Sequence, residues 1–273
     1  MNRLLDEMTR HAEPTQVEGL MRFFKTGPGQ YGFGDKFLGI KVPVTRDVVK
    51  ACWKDVNFED LEECVTSKYH EVRLAALLTL VEIFSHNKKN PELQKQCVDF
   101  YLSHTDYINN WDLVDLSCYP LIGTWLLDKD RSLLYDLARS GKTIWEQRIG
   151  MVSTMQFIRH GQTADTYAIA EILLYHKHDL IQKAVGWLLR EAGKRNADEL
   201  RRWLQPRAHT MPRTALRYAI EKFPDSERRA WLEGTKGTVL SVASLCESVS
   251  FGAERYLCPC ENTPKVLLEE GHR

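Results

Sequence analysis

Apolar residues recur at three- and four-residue intervals along most of the chain, which is the spacing of one face of an α-helix. Strict alternation of apolar and polar residues, the pattern of a half-buried strand, is almost absent before residue 235. The chain is therefore predicted to be all-α. The predicted helices are Met1–His11, Thr15–Lys25, one starting at Pro43, Phe58–Thr66, one starting at His70, Leu93–Ser103, Trp111–Leu127, Ser132–Arg139, Ile144–Arg159, Ala164–Tyr175, Asp179–Arg195, Ala197–Gln205 and Pro212–Lys222.

Several helix boundaries carry capping signals. Thr15 with Glu18 three positions later is the capping-box pattern. Asn57 and Asp179 are suited to the N-cap position, where a side-chain oxygen accepts from an unpaired backbone N–H. The helix that begins at His70 is apolar over more than one face, which predicts that it is buried.

The long buried helices recur at a regular distance. The residues near their starts are Arg73, Trp111, Arg148, Lys183 and Arg213, separated by 38, 37, 35 and 30 residues. A period of about 30 to 40 residues built from two or three helices is typical of an α-solenoid, because each unit buries its apolar face only against its neighbours. The prediction is a HEAT-like helical-repeat superhelix whose concave face is wide enough for a DNA duplex.

Composition sets further bounds. A chain of 273 residues with 43% hydrophobic content can form one large domain or two small ones. It contains no apolar run of the roughly 18 residues that span a bilayer, and its amino terminus lacks a signal-peptide h-region. We expect a cytoplasmic, nucleoid-associated protein, or a nuclear one in a eukaryote. The seven cysteines fit reduced thiols rather than a disulfide framework.

The charge balance counts against nucleic-acid binding. The chain has 37 basic and 37 acidic residues, whereas proteins that bind phosphate backbones usually carry a basic excess. DNA binding then requires that the basic residues gather on one face, which the sequence alone does not decide.

Two segments resemble ligand sites but lack the necessary context. The glycine-rich stretch from Lys25 to Gly34 has neither the Gly-Lys-Ser/Thr ending nor the preceding strand of a phosphate loop, so a flexible connection is expected. Cys258 and Cys260, with the distant Cys246, lack the usual zinc spacing and a clear fourth ligand. We therefore expect no metal, and we divide the chain into a repeat domain (1–233) and a poorly ordered carboxyl-terminal extension (234–273).

A candidate site begins at Trp111 and Asp115, which are four residues apart and so share one face of a helix. Taken alone, an acid in a first turn is explained by the helix dipole, and a tryptophan there is more often core. The next long helices change this interpretation. Arg148 holds the equivalent early position of one, and Trp187 lies in another, beside Gly186, which allows close approach of a backbone or a ring.

These motifs resemble the AlkD-type alkylpurine DNA glycosylases, which are all-helical DNA alkylation repair enzymes built from HEAT-like repeats. The resemblance runs from about Phe37 to about Trp231. It is carried by Phe37-Leu-Gly-Ile with Pro43 and Arg46, Asn110-Trp-Asp-Leu-Val-Asp, Ile144-Trp-Glu-Gln-Arg-Ile, and Ile181-Gln-Lys-Ala-Val-Gly-Trp-Leu-Leu-Arg-Glu. Asn110 departs from the pattern, since relatives often carry a second aromatic residue there.

The resemblance implies the site and the reaction. The implied catalytic residues are Asp115, Trp111, Trp187 and Arg148, and the implied DNA-binding residues are Arg190, Arg213, Arg217, Lys183 and Asn110. The expected reaction is excision of cationic N3- or N7-alkylated purines from double-stranded DNA by a monomer without cofactor. Two alternatives stay open: a non-catalytic protein that recognises DNA shape, which would not need Asp115, and a HEAT scaffold that binds proteins.

Overall fold

The computed structural model describes residues 2–234, and the predicted extension, with its three cysteines, lies outside them apart from Gly234. No β-strand forms within this part of the chain. The α-helices, α1 to α15 in order, are Arg3–Arg10, Pro14–Phe23, Val42–Cys52, Phe58–Val65, His70–His86, Pro91–Ser103, Trp111–Cys118, Ser132–Ser140, Ile144–Val152, Met155–Arg159, Ala164–Leu173, Asp179–Arg195, Ala197–Leu204, Arg213–Ala219 and Asp225–Gly234. The all-α prediction is therefore confirmed for the described residues.

The helices form a two-layered repeat. Helices α3, α5, α7, α9, α12 and α14 contact one another in succession and make an inner row. Helices α4 and α6 pack on α5, α8 packs on α9, and α11 and α13 pack on α12, which together make an outer row. The residues that define the sequence period lie on consecutive helices of the inner row. The spacing of about 35 residues thus measures one outer helix plus one inner helix, as expected for a helical repeat.

One apolar cluster runs through both rows. Helix α5 is its most enclosed member, with buried residues on every face, in agreement with the sequence pattern. Close packing depends on glycine where α12 meets α14. A Cβ at Gly186 would come within 2.4 Å of the Ala215 carbonyl oxygen and 2.5 Å of the Tyr218 Cβ, so only glycine allows this approach. The close approach predicted at Gly186 is confirmed.

Several predicted boundaries were wrong for identifiable reasons. Helix α2 begins at Pro14, with Glu13 as its N-cap, because proline is well suited to the first helical position. The predicted Thr15–Glu18 capping box therefore does not form. Helix α12 does begin at Asp179, but the N-cap is the preceding residue, His178, whose ring nitrogen accepts from the Leu180 backbone.

Two predicted long helices are interrupted. The first changes to a π-helical turn over Tyr119–Gly123, because Pro120 lacks an N–H and its ring crowds the carbonyl one turn earlier. The second divides between Val152 and Met155 into α9 and α10. Both irregularities meet at Gly123, where an added Cβ would lie 2.4 Å from the Ser153 carbonyl oxygen.

The glycine-rich segment before α3 is fastened at both ends. An isolated parallel bridge joins Lys36 to Tyr69. The carboxylate of Glu71 accepts from three consecutive backbone N–H groups, those of residues 38 to 40, at 2.9 to 3.1 Å. At its other end Gly32 donates its N–H to the Lys25 carbonyl. The predicted flexible connection is thus bonded to the start of α5.

The described cysteines and helices agree with two further predictions. Cys52, Cys64, Cys97 and Cys118 are buried free thiols, which fits the reduced state expected from the cysteine pattern. Within residues 2–234, no helix combines the length and the apolar composition needed to cross a bilayer.

Candidate functional site

Helix α7 starts the site, and Asn110 sets its first turn. The Asn110 side-chain oxygen accepts from the Trp111 backbone N–H at 2.9 Å, as an N-cap residue does. Asn110 is fully buried. An enclosed side chain does not reach a DNA duplex in this conformation, so the structure gives Asn110 a place in the cap rather than the predicted place at a DNA surface.

Trp111 is half-buried against a cluster of aromatic rings. Its ring stacks on Phe24 with centroids 5.6 Å apart and meets the exposed Phe23 edge-on at 5.8 Å. Tyr31 packs edge-on against Trp145, with ring centroids 5.8 Å apart. These rings hold the indole of Trp111 in one orientation at the edge of the protein. Phe23 and Tyr31 come from the amino-terminal segment, so no helical spacing connects them to α7 in the sequence.

Asp115, one turn after Trp111, forms a bidentate ion pair with Arg148 of α9. Nε and Nη2 of Arg148 donate to Oδ1 and Oδ2 of Asp115, each at 2.8 Å. The remaining Nη1 donates to the Leu180 carbonyl at the start of α12. Arg148 is 5% exposed, whereas the Asp115 side chain keeps 14% of its surface. The pair therefore joins three inner helices and leaves a small part of the Asp115 side chain accessible.

This geometry shows what Arg148 does in the structure. The resemblance implies that Arg148 belongs to the catalytic set. A buried guanidinium needs an acid partner, and Arg148 has one together with a carbonyl that uses its third nitrogen. It is engaged in orienting Asp115. Burial raises the pKa of the Asp115 carboxyl above its ordinary value, while the positive charge and hydrogen bonds of Arg148 oppose that rise.

A second charged cluster, which the sequence analysis missed, lies behind the first turn of α7. His70 is buried between two carboxylates, with Nε2 2.9 Å from Asp112 and Nδ1 3.3 Å from Asp35. Arg73 donates to the other oxygen of Asp35 at 2.8 Å, and Asn109 donates to the same oxygen at 2.9 Å. We call these five residues the His70 network. It joins the glycine-rich segment, α5 and the start of α7.

Both ring nitrogens of His70 face acceptors, which requires both to carry protons. Burial lowers the pKa of His70, but hydrogen bonds from its ring to Asp112 and Asp35 dominate and raise that pKa to about 9. The network therefore contains an imidazolium at neutral pH. The residues involved are 35 and 42 positions apart in sequence, so local spacing gave no signal of them.

Trp187 lies on α12, seven residues after Leu180, which is about 10 Å along the axis. It is half-buried and lines a cavity of about 550 Å³ that also includes Arg159 and Lys194. The structure thus links Trp187 to the Asp115–Arg148 pair through one helix. Trp111, Asp115 and Arg148 lie closer together, since Asp115 bonds to Arg148 and follows Trp111 by one helical turn.

The predicted DNA-binding cations differ in their surroundings. Lys183 pairs with Asp179 at 2.7 Å, and Arg190 pairs with Glu191 at 3.2 Å and with Glu221. Arg213 donates to the Leu232 carbonyl at 2.8 Å. Arg217 is exposed on α14. Their role at a DNA surface stays a prediction.

The fold and the site were compared with known proteins. A family model described as DNA alkylation repair enzyme matches residues 4–223. The match spans most of the chain, so the protein belongs to this family. The fold is similar to that of a solved structure described as a predicted DNA alkylation repair enzyme from Enterococcus faecalis, with a TM-score of 0.61 and 15% identity. The similarity covers 79% of this chain and 98% of that chain. No curated protein matches the sequence. Family membership supports a role in the repair of alkylation damage, with DNA as the partner.

Proposed function

We propose that the protein is a DNA glycosylase that hydrolyses the N-glycosidic bond of cationic N3- or N7-alkylated purines in duplex DNA. The observation that carries the proposal is the partly exposed Asp115 side chain, whose carboxylate is fixed in orientation by a buried arginine and lies one helical turn from a half-buried indole. An aromatic ring attracts the positively charged base, and a carboxylate stabilises the positive charge that develops on the sugar.

The chemistry starts from the substrate's own charge. An alkylpurine cation leaves without prior protonation, because the electron pair of the breaking C1′–N bond neutralises the base. Positive charge then develops on the deoxyribose ring. The Asp115 carboxylate stabilises this charge and orients a water molecule, whose oxygen bonds to C1′ and whose proton passes to the carboxylate and then to solvent. The products are a free neutral alkylpurine and an abasic site.

Arg148 acts in this proposal as a positioning residue. Its bidentate contact fixes both oxygens of Asp115, and the neighbouring positive charge favours the ionised carboxyl that the reaction needs. It also fixes α9 and the start of α12 relative to α7. Preorganisation of this kind matters because the carboxylate stabilises developing charge only if it does not reorient during the reaction.

Trp111 supplies the recognition of charge. The face of an indole attracts a cation by roughly 0.5 to 2 kcal/mol, and more when water is excluded. The ring contacts with Phe23 and Phe24 hold the indole in place without covering it entirely. Trp187 is the second proposed wall. The preference for cationic over neutral lesions follows from these rings, because uncharged bases gain no such attraction.

Release of methylated bases tests the proposal directly. Duplex DNA treated with a methylating agent and incubated with the protein is expected to yield 7-methylguanine and 3-methyladenine, measured by chromatography of the soluble fraction. Duplex with neutral hypoxanthine serves as the control and is expected to release at least ten times less, because it lacks the cation. Binding of duplex DNA without release of any methylated purine would instead support a non-catalytic DNA-binding protein. The proposal further implies a monomer that acts without a cofactor, in the cytoplasm or at the nucleoid.

A further inference from the structure

The cavity beside Trp187 has an anion-binding character that the glycosylase chemistry does not use. Its lining includes the cations Arg159, Lys194 and Arg195, and its floor includes the apolar Met155 and Ile158. Its volume of about 550 Å³ lies within the range of small-ligand sites. A ring wall, an apolar floor and a cationic rim together suit a group that combines a negative charge with a ring, which is the chemistry of a nucleotide.

Arg159 and Arg195, which line the cavity, remain available to bind an anion. Glu191 is neutralised by Lys194, with contacts of 2.7 and 2.8 Å, and by Arg190 at 3.2 Å. Within residues 2–234, Arg159 and Arg195 form no ion pair with a carboxylate. Arg195 donates to the Arg159 carbonyl at 3.4 Å, which keeps the two side chains on the same rim.

Arg159 also connects the cavity to the reacting acid. Its guanidinium lies over the Tyr119 ring at 4.6 Å from the centroid. Tyr119 follows Asp115 by four residues, about 6 Å along the helix. A stacked guanidinium keeps its edge N–H groups free to donate, and arginine donates to phosphate oxygens in a bidentate manner. Arg159 is thus placed one ring contact and about one helical turn from the carboxylate.

We propose that Arg159 and Arg195 bind the phosphodiester next to the damaged nucleotide, on the rim of the cavity whose Trp187 ring is the second proposed wall for the damaged base. The proposal deepens the glycosylase function and rests on it for the identity of the damaged nucleotide. Neither arginine is among the residues that the sequence motifs pointed to. The cavity then sets the register of the lesion strand, so that C1′ of the alkylated nucleotide faces Asp115.

The salt dependence of DNA binding tests this proposal independently of base release. Fluorescence anisotropy of a labelled undamaged duplex gives Kd at each of several salt concentrations. The slope of log Kd against log salt concentration then reports the number of phosphate contacts. Arg159→Ala is expected to weaken binding about tenfold at low salt and to reduce the slope by about one, because one phosphate contact is lost. The double variant with Arg195→Ala is expected to reduce the slope by about two. Arg159→Lys is expected to keep the slope near that of the wild type.

The chain offers a matched control. Arg139 on the outer helix α8 is exposed and lies over a tyrosine ring, Tyr135, at 5.6 Å. Arg139→Ala removes the same charge and the same kind of stacking from an outer helix away from the cavity, and is expected to leave both Kd and its salt dependence unchanged. Equal effects of Arg139→Ala and Arg159→Ala, or no effect of either, would overturn the proposal. If the wild type bound DNA with the expected slope changes but released no methylated purine, the phosphate site would stand and the glycosylase function would fail.

Discussion

Two charged clusters hold the same short helix, and they differ in how completely their charges are enclosed. In the His70 network, an imidazolium and a guanidinium face two carboxylates, and all the ionised groups are buried. In the Asp115–Arg148 pair the guanidinium is buried, but the Asp115 side chain stays partly accessible. A buried charge without a partner is costly, so the closed cluster fits a structural role and the open one fits a reactive role. The difference separates Asp112 from Asp115, although they lie three residues apart on α7.

The largest expected effect comes from opening the closed cluster. His70→Ala leaves Asp35 and Asp112 buried without their shared partner, and a broken buried ion pair typically costs about 3 to 5 kcal/mol. Urea unfolding is expected to show a loss of unfolding free energy of that size. The exposed His160, bonded to the Gln156 carbonyl of its own helix, is the matched control, and His160→Ala is expected to cost less than about 0.5 kcal/mol. Similar costs for both variants would show that the network does not hold the fold.

The next effect is a dependence of stability on pH. His70 has a pKa of about 9 in the folded protein against a model value of 6.5, so its contribution is complete below pH 6.5 and is lost as pH rises through 9. The unfolding free energy of the wild type is expected to fall by on the order of 3 kcal/mol over this interval. His70→Gln, which does not titrate, is expected to lack that component. If the unfolding free energy of His70→Gln fell equally steeply with pH, the pH dependence would belong to other titrating groups.

A smaller effect concerns the pH dependence of base release. Burial raises the pKa of Asp115, and the reaction needs its ionised form, so activity is lost as pH falls through a value above the ordinary one of about 4. Arg148→Lys removes the bidentate contact and is expected to move this acid limb to higher pH. The control is Arg131→Lys, at the Arg131–Asp165 pair joining the outer helices α8 and α11, which is expected to leave the limb in place. An unchanged limb in Arg148→Lys would mean that the arginine does not tune Asp115.

The repeat pattern of the fold was predictable because each helix shows its apolar spacing within its own short stretch of sequence. The inner helices carry apolar residues at helical spacing and recur one unit later, so the marker residues from Arg73 to Arg213 fell on consecutive inner helices. The interruption at Pro120 also had a local signal, since proline inside a helical pattern breaks the hydrogen-bond series. The apolar periodicity continues past Pro120, so the pattern alone predicts one uninterrupted helix there.

The partnerships of the site were not predictable in the same way. Asp115 and Arg148 are 33 residues apart, and only the stacking of α7 on α9 makes them a pair. The apolar run after Arg148 did carry a hint, because an arginine inside a buried helix needs an acid. His70 and Asp35 gave no hint, because a buried charged histidine looks the same in sequence as a solvated one. Sequence thus predicts which residues lie on the inner helices better than which of them are neutralised.

The most direct measurement compares the two aspartates of α7 under single-turnover conditions with saturating protein. Asp115→Asn is expected to slow release of 7-methylguanine from methylated duplex by at least about a hundredfold, the size of effect seen when a preorganised electrostatic group is removed, while the fold is kept. Asp112→Asn is expected to lower the unfolding free energy by about 2 to 4 kcal/mol and to change the rate per folded molecule by less than about threefold. An Asp115→Asn protein that releases 7-methylguanine at the wild-type rate, or equal losses of rate in both variants, would contradict the assignment of the reaction to the open carboxylate.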